Sequence, residues 1–421
     1  MNISKFVGIA AAWVVVFAGI APAAAPSWKI SVAAGGVDRS NLPIRAVVAV
    51  PEAAADRPVR IKLADGSQVD GQLVAPGLLE KPAAAPAGHV VRDIVFVLPK
   101  LPAGTSIDVV AELAESAESS AAQPRLAWKE EGGGIDLLLA GKPVLRYEMP
   151  VYDDSTEENR VKTYKPFHHV LDPVTGIRLT KGDGGQFTHH RGIFFGYSKI
   201  AHGPEKKTSS DCWHCAGKAR QQHRELLGQE AGGIEGRQRV AIDWIGSDAA
   251  KVLGETRELE AIPVPGGTII EFSSRLEADG PVFLAGDPQH AGVHFRAPQE
   301  VHDLTPGETY YLRPGVKAKP GEFRNWPEDK TYVNAPWHAA SFVVGGQRYT
   351  VLRVNRPANP GEARMSERNY ARFGSYFEYD LAPGRPLEVG YRWWVQPGEL
   401  SIEEAARIAA DYQTPAKVVV R

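Results

Sequence analysis

Short β-branched and aromatic runs, separated by turn residues, recur along almost the whole chain, and this pattern most constrains the fold. In the first part the runs fall at 30–32, 44–50, 59–63, 90–98 and 107–113. Asp65-Gly66, Pro76-Gly77 and Pro102-Ala103-Gly104 stand between them. Such runs suit strands that pack on a pleated surface, and Gly, Pro and Asp supply the turns. The 42 glycines and 32 prolines among 421 residues provide turns in quantity. Seven or so short strands in about ninety residues point to an immunoglobulin-like sandwich over 27–115. It contains one histidine, His89, and no cysteine, so an accessory role is expected for it.

Residues 114–124 (Ala-Glu-Ser-Ala-Glu-Ser-Ser-Ala-Ala-Gln-Pro) are small, polar and acidic. That composition cannot bury a core, and 116–124 reads as a linker. From 125 to 415 the strand pattern resumes, at 192–197, 239–244, 268–272, 293–296, 341–344, 349–354, 376–379 and 387–395. One helix is expected near the end: Ser401 can cap it, Glu403 and Glu404 fit its first turn, and 405–412 continue it. The fold class is therefore all-β, an N-terminal immunoglobulin-like sandwich plus a large antiparallel β-sandwich with a C-terminal helix.

The N-terminus reads as a secretory signal over 1–25. Lys5 precedes an apolar run at 6–20, and Ala23-Ala24-Ala25 offers small residues for cleavage. As a membrane anchor the run is short against the roughly 20 residues a span needs. A periplasmic or extracellular protein, not integral to the membrane once processed, is expected. A formal net charge of -2 gives no basis for nucleic acid as a partner.

Histidines carry the functional signal. There are twelve, and all but His89 lie between His168 and His338. They cluster as His168-His169, Thr188-His189-His190-Arg191-Gly192, Asp211-Cys212-Trp213-His214-Cys215 and Gln289-His290-Ala291-Gly292-Val293-His294-Phe295-Arg296. Imidazole can donate a proton, accept one or bind a metal near neutral pH. Cys212 and Cys215 are the two cysteines. They read as one local disulfide, as two free thiols, or as a thiolate–imidazole pair in which Cys215 and His214 face a site. Serine-hydrolase, zinc-protease, Walker and dinucleotide motifs are absent from the sequence.

The runs His189-His190-Arg191-Gly192-Ile193-Phe194-Phe195-Gly196, Asp211-Cys212-Trp213-His214, Asp287-Pro288-Gln289-His290-Ala291-Gly292 and Arg372-Phe373-Gly374-Ser375-Tyr376-Phe377 resemble a bacterial family of unknown function often labelled PmoA-like, after a subunit of particulate methane monooxygenase. The resemblance covers about 125–415. That subunit is built of transmembrane helices, and this chain offers no such runs, so methane oxidation is not carried over. Relatives occur in secreted, carbohydrate-degrading settings of planctomycetes and similar bacteria, which implies a glycan or sugar-derived substrate.

If 189–191 is extended, His189 and His190 point to opposite faces and only one can enter the site. The glycine-rich Gly182-Asp183-Gly184-Gly185 could close over a ligand. His290 and His294, four apart on a straight strand, stand roughly 13 Å apart, too far for one metal ion unless Gly292 marks a bulge. His294 and Arg296 share a face, as an acid/base group beside an anion clamp. The expected catalytic set is His190, His294, Arg191, Arg296 and Glu378. Substrate would be held by His189, Asp211, Trp213 and His290, with Trp213 either stacking on a sugar ring or packing in a core. Among carboxylates, Asp183 and Asp287 also lie in or near the motifs. The leading expectation is a carbohydrate-active enzyme of lyase, hydrolase or epimerase type. The alternatives are a glycan-binding protein without catalysis, and a divalent transition-metal site, zinc or copper, built from His189 or His190 with His214 and His290, and Cys215 as a further ligand.

Overall fold

A computed structural model describes residues 26–114, 125–287 and 289–421. The expected leader and linker lie outside the described residues. The fold is all-β, with large antiparallel sheets, as the strand pattern predicts.

Seven strands form the N-terminal sheet, in the order Arg39–Pro51, His89–Leu101, Gln68–Val74, Val59–Lys62, Ser106–Leu113, Ser27–Ala33 and Lys417–Val420. Alternation decides what each strand buries: Leu42, Ile44, Ala46, Val48 and Val50 all face inward along one strand. They share one core with Ile30, Ile61, Phe96 and Val109, so the sheet wraps around its own interior. Lys417–Val420 was not foreseen. It leaves the terminal helix and pairs antiparallel with Ser27–Ala33, Ile30 opposite Val420.

The larger unit is built on two facing sheets. One has eight strands, in the order Arg364–Ser366, Arg372–Tyr376, Ala291–Arg296, Ile193–Tyr197, Phe167–Val170, Lys142–Glu148, Gly134–Leu139 and Leu126–Glu131. The other has nine and includes Gly236–Ile245, Gly267–Glu277 and Leu387–Pro397. Phe195, Phe295 and Phe373 of the first meet Trp244, Phe272 and Trp393 of the second in one core. Trp394 points to the opposite face and packs under the helix Ile402–Gln413 with Leu400, Ala405 and Ile408. That helix forms as predicted. Ser401 Oγ accepts the Glu404 N–H at 3.1 Å, and the Glu404 carboxylate accepts the Ser401 N–H at 3.0 Å, a reciprocal cap that satisfies two otherwise free donors. Among the described residues no helix is long and apolar enough to cross a membrane.

One expected strand is divided. Tyr376 ends the strand Arg372–Tyr376, and Tyr379 begins Tyr379–Leu381 in a separate four-stranded sheet. Tyr376 and Phe377 are neighbours and both bury in the same core, which strand alternation forbids, so the chain leaves the ladder there.

Polar groups join the two units. Arg45 bridges Glu235 at 2.5 Å and Glu260 at 2.6 Å, and Arg237 reaches the same two carboxylates at 3.1 and 2.9 Å. Arg39 holds Asp411 of the terminal helix at 3.0 Å. On the strand His89–Leu101, Asp93 is fully buried. Burial, then the like charge of Glu80, raise its carboxyl to about 8. The folded protein thus retains this proton from the unfolded value of about 4 up to about 8. Its stabilising effect is complete below pH 4 and disappears as pH rises through 8. Asp93→Asn should therefore gain thermal stability over the parent at pH 9 compared with pH 5. Melting curves in which the difference between the two proteins does not change with pH would refute this.

Candidate functional site

The site stands on the outer face of the eight-stranded sheet. In Ile193–Tyr197, residues Ile193, Phe195 and Tyr197 enter the intersheet core. Phe194 alternates to the other side, where it packs with Phe167 and Trp213. His294 lies directly across from Phe194 in the antiparallel pair. Trp213 is fully buried over this face, 4.8 Å from both the Phe194 and His294 rings. This hydrophobic floor carries three turns.

The first turn contains His189 and His190. It is not a strand, so the expectation that only one of the two could reach the site fails. The His190 N–H donates to the Phe187 carbonyl at 2.9 Å, and the two imidazoles lie 4.2 Å apart. The buried Lys181 ammonium gathers the loop, donating to the carbonyls of Gly184, Gly182 (3.3 Å) and His190 (3.4 Å). Desolvation lowers its pKa to about 7, with Arg296 and Arg191 adding to the effect. The glycine-rich segment therefore wraps an internal cation, with Asp183 exposed on it. Gly192 closes the turn at φ +54°, and a Cβ there would stand 2.0 Å from the His168 carbonyl oxygen, so only glycine fits.

The second and third turns repeat one device. In Asp211-Cys212-Trp213-His214, Asp211 Oδ1 accepts the N–H groups of Trp213 and His214 at 3.0 and 2.8 Å, and Oδ2 meets His214 Nδ1 at 2.7 Å. At the other turn Asp287 Oδ1 accepts the Gln289 N–H at 2.9 Å, and the carboxylate meets His290 Nδ1 at 2.6 Å. A carboxylate only accepts, so each Nδ1 carries a proton, and the carboxylate leaves each Nε2 unengaged. Burial opposes ionisation of Asp287, yet the bonds from His290 and Gln289 hold its carboxyl below the usual range. Gly292, at φ +90° with its Cβ position 2.0 Å from the Ser375 carbonyl oxygen, takes the chain from this turn into the sheet.

The three turns bring the imidazoles together. One ring nitrogen from each of His189, His190 and His290 lies within 4.8 Å of the others. The His214 ring is 4.4 Å from His189 and 4.9 Å from His290. Among the described residues, His189 Nε2 and both nitrogens of His190 are buried without a hydrogen-bond partner. Burial pushes the His189 pKa down to about 2, helped by Lys165, His214 and His290, and it pushes His190 well below its usual value. These rings remain neutral lone-pair donors. His190 is buried, whereas the side chains of His214 and His290 are about one-third exposed. The cluster therefore has a closed base and an open mouth.

Other expected residues stand elsewhere. Arg191 is fully buried and donates to the carbonyls of Thr188 (2.7 Å), Lys162 (2.9 Å) and Val161, stacking 4.4 Å over Tyr164. Arg296 donates to the carbonyls of Ala297 and Tyr370 at 2.9 and 2.8 Å. Arg191 directs all three of its nitrogens at backbone carbonyls and so is no anion clamp, whereas in Arg296 only Nη1 does so, with Nη2 facing Gln299 Oε1 at 3.5 Å and Nε buried without a partner among the described residues. His294 lies beneath the floor, with Nε2 donating to the Ala291 carbonyl at 2.9 Å and Nδ1 facing Arg372 at 3.3 Å, so it has no route to a substrate. Trp213 is core and not a sugar platform, since no face of it is exposed. Glu378 is exposed and paired with Arg364 at 2.9 Å, in the break between the strands Arg372–Tyr376 and Tyr379–Leu381. Cys212 and Cys215 are unpaired and buried. Their thiols face backbone carbonyls, Ile245 at 3.5 Å for Cys212 and Cys212 at 3.7 Å for Cys215, and burial raises both pKa values. The orienting role of Asp287 and the buried Lys165, Lys181 and Arg372 were missed. Two Asp-x-x-His sequences, 211–214 and 287–290, were the available signal.

These features define an all-β protein with a histidine-lined site at the face of a sheet. The profile described as "Family of unknown function (DUF6807)" matches residues 134–410, and the chain belongs to that family. No curated protein matches the sequence. Among solved structures, an alpha-mannosidase from Enterococcus faecalis V583 shares 7% identity over 94% of this chain and 46% of its own, with a TM-score of 0.47. A glycosyl hydrolase family 38 protein from Enterococcus faecalis gives 8% identity, 94% and 47% coverage and the same score. A galactose mutarotase related enzyme from Lactobacillus acidophilus gives 10% identity over 65% of this chain and 97% of its own, with a score of 0.31. The chain spans about half the length of the first two, and likenesses this distant carry no argument about activity.

Arg191→Met removes the donor from three part-buried carbonyls and should cost about 2–3 kcal/mol of folding stability. Denaturant unfolding that shows no loss would return Arg191 to the candidate site.

Proposed function

We propose that this chain is a metal-dependent enzyme whose ion is held by His189, His190 and His290, with His214 at the open edge. The carrying observation is the convergence of one ring nitrogen from each of His189, His190 and His290 within 4.8 Å, where burial keeps His189 and His190 neutral and leaves their nitrogens without a partner among the described residues. Buried polar nitrogens are rarely left without partners, and a bound cation would satisfy them. The Asp211–His214 and Asp287–His290 pairs supply the outer carboxylates that orient metal-binding imidazoles and raise their basicity. An all-imidazole set suits zinc or copper. The one-sided opening matches a catalytic ion, which keeps a position for water or substrate, better than a structural ion closed on all sides. The acid/base reading with Arg191, Arg296 and His294 has lost its geometry, and Cys215 is turned away from the cluster.

Two expectations remain proposals on sequence grounds. The apolar run at 6–20 followed by Ala23-Ala24-Ala25 supports export to the periplasm or beyond. The motif resemblance, which also carries the PmoA-like label, supports a glycan or sugar-derived substrate.

Mass spectrometry of metals, on protein purified from the periplasm without chelator, should find about one zinc or copper per chain. His189→Ala and His290→Ala should each lose it, and Asp287→Asn should weaken affinity by about 10- to 100-fold. Protein that holds well under one equivalent even after incubation with either metal would overturn the reading.

A further inference from the structure

Beside the imidazoles lies a preformed stack of three layers. The Arg296 guanidinium sits 4.4 Å over one face of Tyr370. The Phe187 ring stacks against Tyr370 at 5.8 Å and an interplanar angle of 26°. Tyr370 and Arg296 are buried, whereas Phe187, the outermost layer, is 39% exposed. Its ring is 5.5 Å from His190 and 6.2 Å from His189.

The position of Phe187 is built at a cost. Its φ is +56°, a left-handed conformation that bulky residues rarely adopt. The turn holds it there because its carbonyl accepts the His190 N–H and faces Lys181 Nζ. Strain of this kind concentrates at ligand sites. A large apolar ring, strained and partly exposed beside His189 and His190, gains little as packing.

The charge around the cluster is the second observation. Lys165 is fully buried and its ammonium donates to the Trp213 carbonyl. Arg372, also buried, donates to Ser366 Oγ at 2.9 Å and to the Gln289 carbonyl at 3.3 Å. None of these partners is a carboxylate. Asp211 and Asp287 are the carboxylates bonded to His214 and His290, so the formal charges of these four groups cancel and a divalent ion would leave the site positive. Such a site draws an anionic oxygen ligand to the open position.

We propose that Phe187 is the stacking platform for a ring-bearing carboxylate whose carboxylate occupies the open position of the metal. The inference rests on the metal reading above. An ion held by His189 and His190 would lie near the Phe187 ring, which is 5.5 Å and 6.2 Å from the His190 and His189 rings. A uronic acid, through the C–H face of its ring, and an aromatic acid, through its π face, share this chemistry.

The test uses zinc-reconstituted protein whose metal content is measured on the same sample. Glucuronate, benzoate and acetate are titrated into it by calorimetry. Glucuronate or benzoate should bind at least about 10-fold tighter than acetate, a ratio within the roughly 1–3 kcal/mol that ring stacking on an aromatic is worth. Whichever is preferred identifies the sugar or the aromatic source. Phe187→Ala should remove that preference and leave acetate unchanged, and Phe187→Trp should retain it. Metal-loaded protein that binds all three equally, or a preference that survives Phe187→Ala, would overturn the platform while sparing the metal site. Preferential binding that persists after the metal is stripped would overturn the carboxylate–metal contact. A sample that holds no metal would overturn both readings together.

Discussion

The pairing of Ile193–Tyr197 with Ala291–Arg296, in the register that sets Phe194 opposite His294, is the constraint on which the site depends. The segment with His189 and His190 joins this pair at the Ile193 end, and His290 precedes it at the Tyr197 end. With Phe194 and Trp213 forming a floor between them, turns from both ends can fold over that floor and meet above it. A shift of one residue would send Phe194 and His294 into the intersheet core and replace the floor with the opposite side of each strand. The same register fills the core on the other face with Phe195, Val293 and Phe295. Hydrophobic burial therefore fixes the placement of a polar site that contributes little to that burial.

Above the floor, buried cations do the holding. Lys181, Lys165, Arg191 and Arg296 all direct donors at backbone carbonyls. A buried charge is costly unless well solvated by polar groups. Lys181 and Lys165 are solvated by carbonyls of the turns that carry His189, His190 and His214, Arg191 ties Thr188 to the 161–162 backbone, and Arg296 holds the Ala297 and Tyr370 carbonyls. The cations also lower the proton affinity of the imidazoles, which favours lone-pair donation over acid catalysis. One arrangement thus accounts for the shape of the turns and for the neutrality of the rings.

The joint between the two units follows another logic. Arg45, Arg237, Glu235 and Glu260 pair their charges inside the contact, and the C-terminal strand crosses back to the N-terminal sheet. The first and last described strands are thereby paired, and the N-terminal unit also holds the terminal helix through Arg39 and Asp411.

The sequence by itself determined the class of structure. Alternation at 42–50, the β-rich runs of the larger unit and the Ser401 cap follow from local chemistry, since period and capping act over a few residues. It also marked three histidine-bearing loops that the fold brings together, and the Asp-x-x-His spacing in 211–214 and 287–290 is a local signal that can be read without the fold. Tertiary structure decided which of the marked residues meet. His294 and Arg296 lie on a strand whose outer face is covered, so they became packing. His189 and His190 lie on a turn gathered around Lys181 of the same loop, and that loop packs so that both face the cluster. Local sequence sets the conformational preference of a segment, but the neighbours that surround a side chain come from strands up to a hundred residues away. Their register alone decides whether a histidine is buried, paired or left with a lone pair to give.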